Sequence, residues 1–122
     1  MNKIRSYQDL IVWQRSVDLV VKIYELTDPF PIEERFGLTS QIRRSAVSIP
    51  SNIAERQARN TKATFANQVD IALESAAELE TQLTIALKIN YITQNNFDDL
   101  ISELTEIVRM LYGLLRRLRP EN

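Results

Sequence analysis

Residues 61–90 read TKATFANQVDIALESAAELETQLTIALKIN, and the spacing within them decides the fold. Phe65, Val69, Ala72, Ala76, Leu79, Leu83 and Ala86 advance by 4, 3, 4, 3, 4 and 3. Such a repeat puts all seven on one face of a helix, as an unbroken seam against neighbouring helices. The alanine-rich half of the seam is narrow and allows a neighbour to approach closely. Asn60-Thr61 stands just ahead as the cap.

The same periodicity extends in both directions. Downstream, Asn90 to Asn96 forms a connection, with Thr93 or Asn95 as the cap of a last helix. Phe97, Leu100, Leu104, Ile107, Leu111, Leu114 and Leu118 make its stripe, and Pro120 stops it. Upstream, Leu38, Ile42, Ala46, Ile49 and Ile53 mark a helix from Leu38 to about Arg59. Pro50 lies inside it and removes the donor for the carbonyl of Ala46, so a kink is expected there. A short helical turn over Pro31 to Arg35 precedes it, broken by Gly37. The first helix begins near Ser6, whose spacing to Asp9 is that of a cap followed by a carboxylate. It carries two apolar rows: Leu10, Trp13, Val17, Val20 and Tyr24, and beside them Val12, Leu19, Ile23 and Leu26. Asp28-Pro29-Phe30-Pro31 ends it.

These elements predict an all-α, up-down-up-down antiparallel four-helix bundle. Each helix has about 20 to 30 residues and spans roughly 30 to 45 Å. At 122 residues, without linker, repeat or low-complexity segment, the whole of 1–122 is expected to be a single domain. Two glycines and four prolines are too few for the turns of a β-rich chain.

Composition narrows the chemistry. The chain has no cysteine, which excludes disulfides and thiolate metal sites, and no histidine, the commonest general acid–base and metal ligand. No apolar run suits a signal peptide or a membrane span, so a cytoplasmic location is expected. The net charge is −1, yet the charges are segregated. From Arg35 to Lys62 there are six basic residues (Arg35, Arg43, Arg44, Arg56, Arg59, Lys62) against one acid, Glu55. From Ala63 to Val108 eight acids face Lys88 alone, and Arg109, Arg116, Arg117 and Arg119 follow. This distribution places opposite potentials on different faces.

Several runs together resemble a known family. They are Leu10-Ile11-Val12-Trp13-Gln14, Phe30-Pro31, the run from Phe36-Gly37-Leu38-Thr39-Ser40-Gln41-Ile42-Arg43-Arg44 into Ser48-Ile49-Pro50-Ser51-Asn52-Ile53-Ala54-Glu55, and Glu78-Leu79-Glu80-Thr81-Gln82-Leu83. The pattern is similar to that of bacterial four-helix-bundle proteins encoded in intervening sequences of large-subunit ribosomal RNA genes, over Ser6 to Leu118. The resemblance implies a ring-like homo-oligomer, commonly a pentamer. It also implies kinship with the accessory proteins of diversity-generating retroelements, similar bundles that bind nucleic acid and a reverse transcriptase. Arg56 departs from the pattern, since a glycine usually follows the Ile-Ala-Glu run; this weakens the case for a sharp turn after Glu55 and adds a positive charge.

Arg43 and Arg44, with Arg56, Arg59 and Lys62, are the candidates for nucleic-acid contact. Arg44, Ser48, Ser51, Glu55 and Arg59 fall opposite Ile42, Ile49 and Ile53 on the helical wheel, and arginine forks with hydroxyls suit phosphate oxygens. Two other readings stand beside it: a solvated face with a Glu55–Arg59 pair, or pairing with the acidic third helix of a neighbouring subunit. The Ser48 to Glu55 run offers serines, but without histidine the general base would have to be a lysine or carboxylate, and no lysine lies near, so no catalytic residue is assigned. Asn52 is expected to satisfy backbone groups around Pro50. Asp70, Glu74, Glu78 and Glu80 lack the Glu-x-x-His spacing of carboxylate metal centres and are read as a solvated acidic face, with no metal or cofactor implied. Trp13 is read as core, and Tyr7, Tyr91 and Tyr112 as boundary or interface packing. The wide apolar arc of the first helix points to association, with Val12, Leu19 and Ile23 as the oligomer interface.

Three functions follow. The first is a non-enzymatic homo-oligomeric scaffold that associates with RNA or a ribonucleoprotein through the basic second helix. The second is a protein-recruiting module whose acidic third helix docks a basic partner such as a reverse transcriptase. The third is an all-helical enzyme with arginine clamps on its substrate.

Overall fold

The computed structural model describes residues 7–55 and 61–120. Among these residues four α-helices carry the fold: α1 (Ile11–Thr27), α2 (Leu38–Ala54), α3 (Lys62–Lys88) and α4 (Gln94–Leu118). Two short 3-10 turns, Tyr7–Asp9 and Ile32–Glu34, precede α1 and α2, and no strand occurs among the described residues. The helices pack as a bundle, with contacts of α1 to α2, α2 to α3, α3 to α4, and α4 back to α1.

The seam of α3 is buried along its whole length, from Phe65 to Ala86. It meets α2 where both helices carry small side chains. Ser75 Oγ donates to Ser48 Oγ at 2.8 Å across the two helices, beside buried Ala72 and Ala76 on α3 and buried Ser45 and Ala46 on α2. Thr61 caps α3 by accepting from the backbone N–H of Thr64, and Thr93 caps α4 by accepting from that of Asn96. The C-terminus of α3 closes through Asn90 at φ 66°. Tyr91 N–H donates to Ala86 O at 2.8 Å and Asn90 N–H to Leu87 O at 3.0 Å, the paired bonds of a left-handed helix stop.

The first helix departs from expectation. It starts at Ile11, with Leu10 as a cap that makes no side-chain bond; the expected Ser6 cap lies outside the described residues. Burial of Leu10 and an edge-on contact of Tyr7 with Trp13, 5.3 Å between centroids, hold the entry in its place. The face that α1 buries is Val12, Ser16, Leu19, Ile23 and Thr27. Ser16 Oγ donates to Val12 O at 2.6 Å and Thr27 Oγ1 to Ile23 O at 2.8 Å, so both hydroxyls enter the core already satisfied. Trp13, Val17 and Val20 are half-buried on the flank, and Tyr24 is exposed.

Helix α2 ends at Ala54, ahead of Arg59. Ile53 is its last buried side chain, and no large apolar residue follows in the sequence to extend the stripe. Pro50 is buried inside α2, and Asn52 Nδ2 donates to Ser48 O at 2.7 Å and to Ser48 Oγ at 2.9 Å in that turn. The start of α2 rests on Glu34. Its Oε1 accepts from Leu38 N–H at 3.1 Å, and its Oε2 accepts from the Tyr91 hydroxyl at 3.0 Å. That hydrogen bond, with burial and the Glu34 charge adding to it, raises the Tyr91 pKa above its ordinary value. A Cβ on Gly37 would lie 2.8 Å from Glu34 Oε1, so glycine is what admits the carboxylate.

Three stability outcomes follow in chemical denaturation. Glu34→Ala removes a helix cap and a long-range hydrogen bond within the chain together and costs about 1–2 kcal/mol; in Glu34→Gln the phenol of Tyr91 titrates at lower pH than in the parent. Asn90→Gly leaves stability unchanged or raises it, whereas Asn90→Ala lowers it by about 1 kcal/mol, because only the former adopts the left-handed conformation freely. Ala76→Leu overpacks the α2–α3 contact and costs about 1–3 kcal/mol.

Candidate nucleic-acid interface

The end of α1, the turn before α2 and the first half of α2 enclose an open groove of about 740 Å³. Tyr24, Thr27 and Asp28 come from α1 and its end; Ile32, Arg35 and Phe36 come from the turn; Thr39, Arg43, Arg44 and Val47 come from α2. The turn exists because Pro29 and Pro31 prevent α1 from continuing and Gly37 lets α2 begin. Residues distant in sequence are thereby brought to one surface.

The two neighbouring arginines of α2 are placed differently. Arg43 is half-buried and tied to α1: Nε donates to Thr27 Oγ1 at 2.9 Å, and the guanidinium lies over the Tyr24 ring, 4.4 Å from its centroid. A longer bond reaches Tyr24 O at 3.4 Å. A cation there meets both a π face and the negative end of α1. Arg44 is exposed, as is Arg35, and neither forms an ion pair among the described residues. Lys62 is exposed at the first position of α3, away from the groove. Arg56 and Arg59 lie outside the described residues.

The groove also holds features that periodicity does not reveal. Phe36 is 90% exposed and Ile32 73% exposed, and both line it. Thr39 is only 8% exposed, and its Oγ1 has no hydrogen-bond partner among the described residues. The Phe36-Gly37 dipeptide between two helical segments was the sequence signal for an exposed aromatic in a turn. Thr39 gave none, since a threonine in the first turn of a helix normally bonds back to the backbone.

The interface residues expected on α1 are corrected. Val12, Leu19 and Ile23 are 7%, 1% and 0% exposed within the single chain, and so have no surface to offer a second copy. Ser48 Oγ, one of the two serine hydroxyls of the polar run, is bonded to Ser75 and Asn52, neither of which is a base. Glu74, Glu78 and Glu80 are exposed on α3, and Asp70 pairs with Arg119 at 2.8 Å. Among the described residues no three carboxylates converge on a point that could hold a metal ion. No described helix is long and apolar enough to cross a membrane.

Comparison with known proteins agrees with this architecture. A crystal structure from Bacteroides thetaiotaomicron VPI-5482, described as a protein of unknown function from the S23 ribosomal protein family, superposes with a TM-score of 0.80. It is 31% identical to this chain, and the alignment covers 87% of this chain and 96% of that one. No curated protein matches. The family model described as 23S rRNA-intervening sequence protein matches residues 8–113, and the chain therefore belongs to that family.

Proposed function

We propose that this protein is a non-enzymatic, cytoplasmic scaffold that assembles with copies of itself and binds RNA or a ribonucleoprotein through the arginine groove. The observation that carries the reading is the pair Arg35 and Arg44, two exposed guanidinium groups on the rim of an open groove, without a carboxylate partner among the described residues. Unpaired arginine forks are suited to phosphate oxygens, and the remaining hydroxyls of the groove, Ser40 and Ser48, are short donors of the kind that supplement them. The family's description, which refers to an intervening sequence of 23S rRNA, is in keeping with an RNA context. The helices run up, down, up and down in this reading, since the described links are short and each helix contacts the next.

Assembly is proposed as a ring, with five copies favoured. Its contacts have to come from side chains that the single chain leaves exposed, such as Ile71 and Ile85 on α3 or Ile11 and Val21 on α1. A second reading has its own support: Glu74 and Glu78 are exposed one helical turn apart without an ion pair among the described residues. In that reading α3 docks a basic protein, for which a reverse transcriptase is one example.

Light scattering on nuclease-treated protein is expected to give a single species near five times the 14.1 kDa chain mass; a monomer would remove the ring from this proposal. In RNA titrations across salt concentration, the Arg35→Ala/Arg44→Ala double variant is expected to bind more weakly, with a salt slope shallower by about 1.5. Unchanged affinity in that variant excludes the groove as the RNA site. Arg43→Ala, by contrast, is expected to act mainly on stability, lowering it by about 1–2 kcal/mol through the lost tie to α1.

A further inference from the structure

We propose that the groove takes single-stranded rather than duplex RNA, with one unstacked base resting on Phe36 and its phosphate held among Arg35, Arg44 and the Thr39 hydroxyl. The inference rests on the RNA reading of the same groove and adds which form of RNA it accepts.

Phe36 is the first argument. A phenylalanine left 90% exposed offers a whole ring face to solvent, and it follows directly after Arg35, which has no ion pair among the described residues. Apolar surface of that size is covered when a flat partner lies on it, and every base has a π face to offer. Of the other two aromatics of the groove, Tyr24 already has the Arg43 guanidinium over its ring, and Phe30 is buried against Tyr91. Phe36 is thus the ring left open for stacking.

Thr39 is the second. The residue is more than nine-tenths buried and lines the groove, and its hydroxyl lacks a partner among the described residues, a state that costs about 1–3 kcal/mol when nothing fills it. The hydroxyl has a proton to donate, and a phosphate oxygen accepts it. Charge is the third. Arg35, Arg43 and Arg44 line the groove with Asp28 as the single acid, so the lining favours an anion.

Shape separates the two forms of RNA. A space of about 740 Å³ matches the pockets that enclose small ligands and accommodates a nucleotide or two. In an A-form duplex the bases are stacked on each other, and only phosphates and sugar hydroxyls reach a protein surface. A duplex would touch Arg35 and Arg44 on the rim, yet leave Phe36 bare and Thr39 unsatisfied. A single strand with a splayed base satisfies all three.

The test is fluorescence anisotropy of the full-length protein with a labelled uridine-rich strand of about 12 nucleotides and with a blunt duplex of equal length. The single strand is expected to bind about tenfold tighter than the duplex. Phe36→Ala is expected to weaken single-strand binding about tenfold without changing the salt slope, Phe36→Trp to retain it, and Thr39→Val to weaken it a few-fold. Circular dichroism and melting of each variant report folding, and a side chain as exposed as Phe36 leaves both unchanged. Equal affinity for the two probes, or a Phe36→Ala variant that binds the single strand normally, overturns the inference. The RNA reading survives that result if Arg35→Ala/Arg44→Ala still flattens the salt slope. Failure of both probes to bind overturns both readings. Loss of oligomer mass in Phe36→Ala with unaltered RNA affinity assigns the ring to a protein interface and likewise overturns the inference.

Discussion

The close approach of α2 and α3 is the constraint on which the rest of the molecule depends. Ser45, Ala46 and Ser48 on one helix and Ala72, Ser75 and Ala76 on the other are small, so the backbones draw together and the Ser75–Ser48 hydrogen bond of 2.8 Å can form. A partly buried hydroxyl pair is most stable when the two partners bond each other, and that preference favours one rotation of both helices. With α2 turned this way, Ile42, Ile49 and Ile53 point into the core at 0% exposure. Arg44 and Val47 then face away from it, towards the groove. The groove is therefore a consequence of how α2 is seated.

The second fixed point is the junction before α2. Glu34 joins the 3-10 turn, the first turn of α2 and Tyr91 beyond the end of α3 through its two oxygens. Tyr91 in turn packs on Phe30, 5.2 Å between centroids. A carboxylate that accepts a backbone N–H at a helix start works with the helix dipole. The loop that carries Arg35 and Phe36 is thus held at its base while its apex projects into solvent. An exposed aromatic on a well-anchored turn is preorganised for contact, since little conformational freedom remains to be lost when a partner arrives.

Much of the fold was legible in the sequence, and the exceptions share one cause. The α3 seam, the α4 stripe and the caps at Thr61 and Thr93 follow from local spacing and chemistry, which the tertiary structure respects. On α1 two neighbouring apolar rows were visible, and periodicity cannot say which one faces inward. The buried row is Val12, Ser16, Leu19, Ile23 and Thr27, and its two hydroxyl residues disguised it as the weaker. Both bond back to the preceding turn, which removes the penalty for burying them. The same ambiguity reaches the site, because Val12, Leu19 and Ile23, expected at an interface, are buried by the chain itself. At the groove, the charge of Arg43 and Arg44 was plain from sequence. The contribution of Phe36 and Thr39 was not, because it depends on the turn folding back beside α2.

Adjacent letters at 43 and 44 have separate physical roles because one residue turns a helix by about 100°. Arg43 points along the α1 side, where the Tyr24 ring and the Thr27 hydroxyl take up its guanidinium. Thr27 can accept from Arg43 because its own proton already goes to Ile23 O, so a single buried hydroxyl links the backbone of α1 to a side chain of α2. The tie sets the spacing of the groove walls. Arg44, one step round, has no such partner and keeps its charge available. A chain of net charge −1 can thus present a local anion site. On another face the opposite charges of Lys22 and Glu103, 2.6 Å apart between α1 and α4, match each other. At physiological ionic strength their influence fades over about 8 Å, so the local balance in the groove, rather than the total charge, determines what it attracts.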